Sequence, residues 1–163
     1  MGHGQPLGGH IARLVAEAAG SATLVGGTHW HESLGFAVVP DRYPGEGPLG
    51  GILTALHHTS AKWNLVTACD MPSLTPDLLR DLLDAAEKTN SHIVIPEAAG
   101  KLEPLCAVYR QDALKGLEEA FARGIRKVTA AFDGLGVTAW PVAEVARFQN
   151  LNTPEDWERY AAG

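Results

Sequence analysis

Two aspartates stand where a carboxylate could work on a ligand. Asp70 directly follows the apolar run Trp63-Asn64-Leu65-Val66-Thr67-Ala68-Cys69, and Asp41 follows Phe36-Ala37-Val38-Val39-Pro40. In open α/β sheets, ligands gather beyond the carboxyl ends of the strands. A carboxylate there can hold Mg²⁺ against a phosphate, because Mg²⁺ takes one or two protein oxygens and completes its shell with phosphate and water. Met71-Pro72 keeps the exit from Asp70 extended, since a residue before proline avoids the helical region. The bland alternative is an aspartate that caps a turn, and residue type alone leaves both readings open.

Asp41 also opens the loop Asp41-Arg42-Tyr43-Pro44-Gly45-Glu46-Gly47-Pro48-Leu49-Gly50-Gly51. Its glycines let backbone approach a ligand closely, and its prolines stiffen it. Ile52, Leu53 and Leu56 then begin a helix, whose amino end could offer amides to an anion. No Gly-Lys-Ser/Thr follows, so this is not a Walker loop. A plain connecting loop is the competing reading. Gly124-Ile125-Arg126-Lys127 places two cations near an expected helix start, and Lys101 precedes a strand; each could meet a phosphate or simply be solvated. Asn150 and Asn152 precede the last helix and could cap it or bind a ligand. His29, His31, His57 and His58 lack the companions of a zinc or copper site. No nucleophile elbow supports hydrolase chemistry.

These residues need elements to position them. Runs 22–25, 36–39, 63–69, 92–95, 105–109 and 137–140 read as strands, with Pro40 and Pro96 as stops. Helices alternate with them. Thr75 caps one, with Pro76 and Asp77 in its first turn and Leu78, Leu79, Leu82, Leu83 and Ala86 on its apolar stripe. Leu114, Leu117 and Phe121 stripe another, and Thr153-Pro154 opens a last one. The alternation implies a mostly parallel, three-layer α/β/α sheet. The first element, from Pro6 to Ala19, reads as a helix with no strand before it, whereas doubly wound domains normally begin with a central strand.

At 163 residues the chain suits a single domain, 1–163. Hydrophobic residues are 45% and charged residues 20%, so it is neither disordered nor fibrous. A net charge of -6, without a basic block, argues against nucleic acid or an anionic membrane as partner. No apolar run approaches the roughly 18 residues of a spanning helix. The opening residues do not resemble a secretory signal. Cys69 and Cys106 sit singly in apolar runs, as in a reducing cytoplasm.

Four ordered segments carry a family resemblance. They are Val39-Pro40-Asp41 with Pro44 to Ile52; Val66-Thr67-Ala68-Cys69-Asp70-Met71-Pro72-Ser73-Leu74; Pro104-Leu105-Cys106-Ala107-Val108-Tyr109; and Asn150-Leu151-Asn152-Thr153-Pro154-Glu155-Asp156. Together they resemble the molybdenum cofactor guanylyltransferases. The resemblance implies a Rossmann-like nucleotidyltransferase fold that joins GMP from GTP to molybdopterin phosphate, with Mg²⁺, and releases pyrophosphate. It implies that Asp70 ligates Mg²⁺ and touches GTP, and that Asp41, Gly47 and Pro48 meet the nucleotide. Lys101, Arg126, Asn150 and Asn152 would handle the pterin side, and molybdoenzyme-maturation proteins would be partners.

The family opens with a strand and the loop LAGGxSxRMGxDK, whereas Gly4-Gln5-Pro6-Leu7 matches the segment after that lysine. Without the first central strand, a slot of about 4.8 Å, one strand spacing, is expected in the sheet. The chain is then a guanylyltransferase whose start was placed downstream, a binding module that holds nucleotide or pterin without turnover, or a nucleotidyltransferase for CTP or a sugar phosphate.

Overall fold

Along two strands of this chain, successive side chains turn to opposite faces, and that alternation builds two cores. The computed structural model describes residues 7–26, 36–68, 71 and 73–148. Within them lie α1 (Leu7–Ala19), β1 (Thr23–Val25), β2 (Ala37–Val39), α2 (Pro48–His58), β3 (Trp63–Thr67), α3 (Pro76–Glu87), β4 (Ile93–Ala98), β5 (Lys101–Leu102), β6 (Cys106–Arg110), α4 (Leu114–Ala122) and β7 (Val137–Pro141). Short 3-10 turns at Gln111–Ala113, Thr129–Phe132 and Val145–Phe148 carry no periodic signature that would announce them. The expected last helix lies outside the described residues.

Ile93 and Ile95 of β4 and Ala107 and Tyr109 of β6 join one core with Leu49, Ile52, Leu53 and Leu56 of α2 and Leu117 of α4. Val94, Cys106 and Val108 turn the other way, to Leu79, Leu82 and Ala86 of α3 and Ile11 of α1. This is the period-two rule of a pleated strand. It yields three layers, with α2 and α4 on one face and α1 and α3 on the other. Thr75 caps α3 as expected, accepting from Leu78 N at 3.2 Å.

Strand direction is mostly shared: β3, β4 and β7 point the same way. The sheet is nonetheless mixed, because β6 lies between β3 and β4 and is antiparallel to both. The cause is local. After Ala98, Ala99 and Gly100 take positive φ of 53° and 77°, and Lys101 folds back to pair with Ala98. A two-residue turn of this hand joins antiparallel strands. The chain therefore returns directly instead of crossing over through a helix. Pro96 does not stop β4, which runs on to Ala98. The ladder with β6 ends at Val94, and Pro96 uses its carbonyl to accept from Glu103 N at 2.9 Å.

β1 and β2 form a separate parallel pair. No ladder joins β1 to β3 among the described residues. Between them lies a cavity of about 510 Å³, walled by Thr23–Val25, by Trp63–Thr67, and by residues of α1 and α2 above and below. This is where the slot was expected.

Candidate functional site

The amino end of α2 and the loop before it form one rim of this cavity. Asp41, Gly47 and Pro48 all line it. Asp41 Oδ1 accepts from Tyr43 N at 2.9 Å and lies 3.1 Å from Thr54 Oγ1. The first contact is an Asx-type turn, in which the side chain takes the place of a backbone carbonyl. Thr54 is buried on α2. Its hydroxyl also accepts from Arg42 N at 3.0 Å and reaches Gly50 O at 2.9 Å. Its single proton serves either Asp41 or Gly50. Thus Asp41 fixes a turn while lining the cavity.

Gly47 precedes α2 with φ 86° and ψ -175°, and Pro48 takes the first helical position. A side chain is strained in that φ/ψ region. The helix begins four residues before Ile52, where the apolar run suggested. Gly50 must also be small, because a Cβ there would lie 3.0 Å from Tyr43 Cβ. The loop is thus packed onto its own helix. At the far end of α2, Gln111 Nε2 donates to Leu56 O and Thr59 O at 2.8 and 2.9 Å. Sequence reasoning missed Thr54 and Tyr43. The only signal was a threonine four residues after Gly50 on an otherwise apolar helix.

The other candidates are placed elsewhere. Lys101 is exposed on the β4–β5 hairpin and does not line the cavity. Arg126 does not line it either. It follows the end of α4, where a helix start had been expected, and its guanidinium is engaged with Glu46 Oε2 at 3.0 Å. Asp70, Asn150, Asn152, His29 and His31 lie outside the described residues. His57 pairs with Glu118 at 2.6 Å, tying α2 to α4. Cys106 is buried, and burial first, then Glu103, pushes its thiol up to about 12. Tyr109 is likewise raised by burial, and its hydroxyl donates to Pro104 O at 2.7 Å.

Among the described residues that line the cavity there is no lysine or arginine, and Asp41 is the one carboxylate. No group of three or more His, Cys, Asp or Glu could hold a metal among the described residues. A single carboxylate of this kind suits a hard cation that keeps most of its ligands as phosphate and water.

Residues 1–135 match the profile of the MobA-like NTP transferase domain. The chain belongs to that family. A probable molybdenum cofactor guanylyltransferase of Clostridium perfringens is 32% identical over 137 residues, 78% of this chain and 68% of that protein. A molybdenum cofactor guanylyltransferase of Shewanella is 32% identical over 135 residues, 81% of this chain and 68% of that one. Among solved structures, molybdopterin-guanine dinucleotide biosynthesis protein A from Archaeoglobus fulgidus superposes with a TM-score of 0.74 at 31% identity. It covers 90% of this chain and 81% of its own. A cytidylyltransferase from Thermus thermophilus, at 15% identity and TM-score 0.69, shares the fold alone. For this member of the MobA-like family, the three layers and the mixed sheet are the nucleotidyltransferase fold. The loop and the α2 amino end line the cavity between β1 and β3.

Proposed function

We propose that this chain transfers GMP from GTP to the phosphate of molybdopterin, yielding the guanine dinucleotide and pyrophosphate. The observation that carries the reading is the convergence of Asp41, Gly47 and Pro48 on one cavity at the amino end of α2. The relatives named as guanylyltransferases supply the substrates. In the reaction an acceptor phosphate oxygen attacks the α-phosphorus as the α–β bridge breaks. Such a transfer needs positioning and charge neutralisation more than covalent help.

The chain's own residues divide that work. The stiff loop 41–47 and the first turn of α2 hold the nucleotide, with helix amides toward the anion. Asp70, which follows β3 in sequence, is the proposed Mg²⁺ ligand, and Asp41 is proposed to meet the nucleotide. Mg²⁺ when bound would supply the positive charge that the described lining lacks. Lys101, Asn150 and Asn152 are proposed for the acceptor side. No helix among the described residues is long and apolar enough to cross a membrane. We place the reaction in the cytoplasm, with molybdoenzyme-maturation proteins receiving the product.

Pyrophosphate release with GTP, Mg²⁺ and molybdopterin tests this. Asp70→Ala is expected to slow release by roughly 100-fold or more, the scale of losing one preorganised electrostatic group. Faster release with CTP than with GTP, or full activity of Asp70→Ala, would overturn the assignment. Binding of GTP without any release would instead identify a non-catalytic binding module.

A further inference from the structure

Arg126 was expected to touch substrate, but its contacts point to the nucleotide loop. Nε donates to Glu46 Oε2 at 3.0 Å. Nη1 donates to Phe121 O at 2.8 Å and Ile125 O at 3.1 Å, closing the carboxyl end of α4. The guanidinium lies over the Phe121 ring, 3.7 Å from its centroid. That ring in turn packs on Tyr43 at 4.8 Å between centroids. Tyr43 N donates to Asp41 Oδ1, and Tyr43 O accepts from Glu46 N at 3.1 Å. Gly124, at φ 93°, ends the helix so that Arg126 can turn back along it.

From this chain of contacts we infer that Arg126 is a positioning residue. Together with Glu46 and Phe121 it latches the 41–47 loop to α4, fixing the approach of Asp41 and Gly47 to the nucleotide. Arginine suits the place. Its planar fork can stack on an aromatic ring and donate along its edge at the same time, which lysine cannot do. Two loop residues are held, Tyr43 through the ring and Glu46 through the charge. The latch rests on the guanylyl-transfer reading only for the identity of the ligand the loop meets.

Hydrogen exchange across residues 42–47 tests the latch without requiring turnover. Glu46→Gln is expected to speed exchange of the Tyr43 and Glu46 amides by about 3-fold, the range of a partly exposed ion pair. Arg126→Met, which also removes the stacking, is expected to speed it by about 10-fold. The double variant should be no faster than Arg126→Met alone, because the pair acts as one unit. In the turnover assay both single variants should raise KM for GTP and leave KM for molybdopterin unchanged. Unchanged exchange in Glu46→Gln and Arg126→Met, or a rise in the molybdopterin KM for Arg126→Met alone, would overturn the latch. A chain that binds no GTP yet shows the exchange pattern would sink the functional reading and leave the latch standing.

Discussion

Glu103 lies half-buried in the turn between β5 and β6, where burial pushes its carboxyl above the usual range while Lys101 partly opposes the shift. A folded-state pKa above the unfolded one has a definite sign. Below the unfolded value both states are protonated and the group contributes nothing. As pH rises through both values, the unfolded state gives up its proton more easily and the fold loses stability. Glu103→Gln is therefore expected to raise the melting temperature at pH 7 and to leave it unchanged near pH 3, as read by a thermal scan at the two pH values. Cys106, packed among strand and helix neighbours, has its thiol held protonated by the same burial. It is inert rather than nucleophilic.

At the scale of elements, two neighbouring glycines of the 41–51 segment should respond with opposite sign. Gly47 holds φ 86° and ψ -175°, and Gly47→Ala is expected to cost about 1–3 kcal/mol through backbone strain. Gly51 sits inside α2 with no atom within 4 Å of where a methyl group would project, and Gly51→Ala is expected to stabilise by about 0.5–1 kcal/mol. Urea unfolding of the two variants measures both. A loss in each would mean that the segment tolerates no added bulk, rather than that Gly47 alone carries the strain. Because Gly47 also lines the cavity, its variant should weaken GTP binding as well.

For the whole molecule, the gap between β1 and β3 interrupts the sheet, yet α1 and α2 contact both sides of it. A ligand that binds there only in the folded state stabilises by mass action. At 100 times its Kd the gain is about 2.7 kcal/mol. GTP with Mg²⁺ is expected to raise the melting temperature with a saturable dependence on concentration, and CTP to do so less. A melting temperature unmoved by GTP at millimolar concentration would contradict nucleotide binding by this chain.

Short-range chemistry by itself determined a good deal. The cap at Thr75, the stripe of Leu79, Leu82 and Ala86, the two-sided apolar runs, and the stiff glycine loop opening on Asp41 are all written within a few residues of themselves. They followed from local propensity and period. Only the tertiary structure decided what lies far apart in the chain. Glu46 and Arg126 are 80 residues apart, and Asp41 and Thr54 are 13 apart, so no local pattern announces either pairing. The reversal of β6 hid in an Ala-Gly turn that lacks the usual asparagine. The sequence supplies each surface with its shape and charge. Which surfaces meet is decided by the packing of every layer at once, and that packing sets the Arg126 guanidinium against Glu46 of the loop and the Phe121 ring.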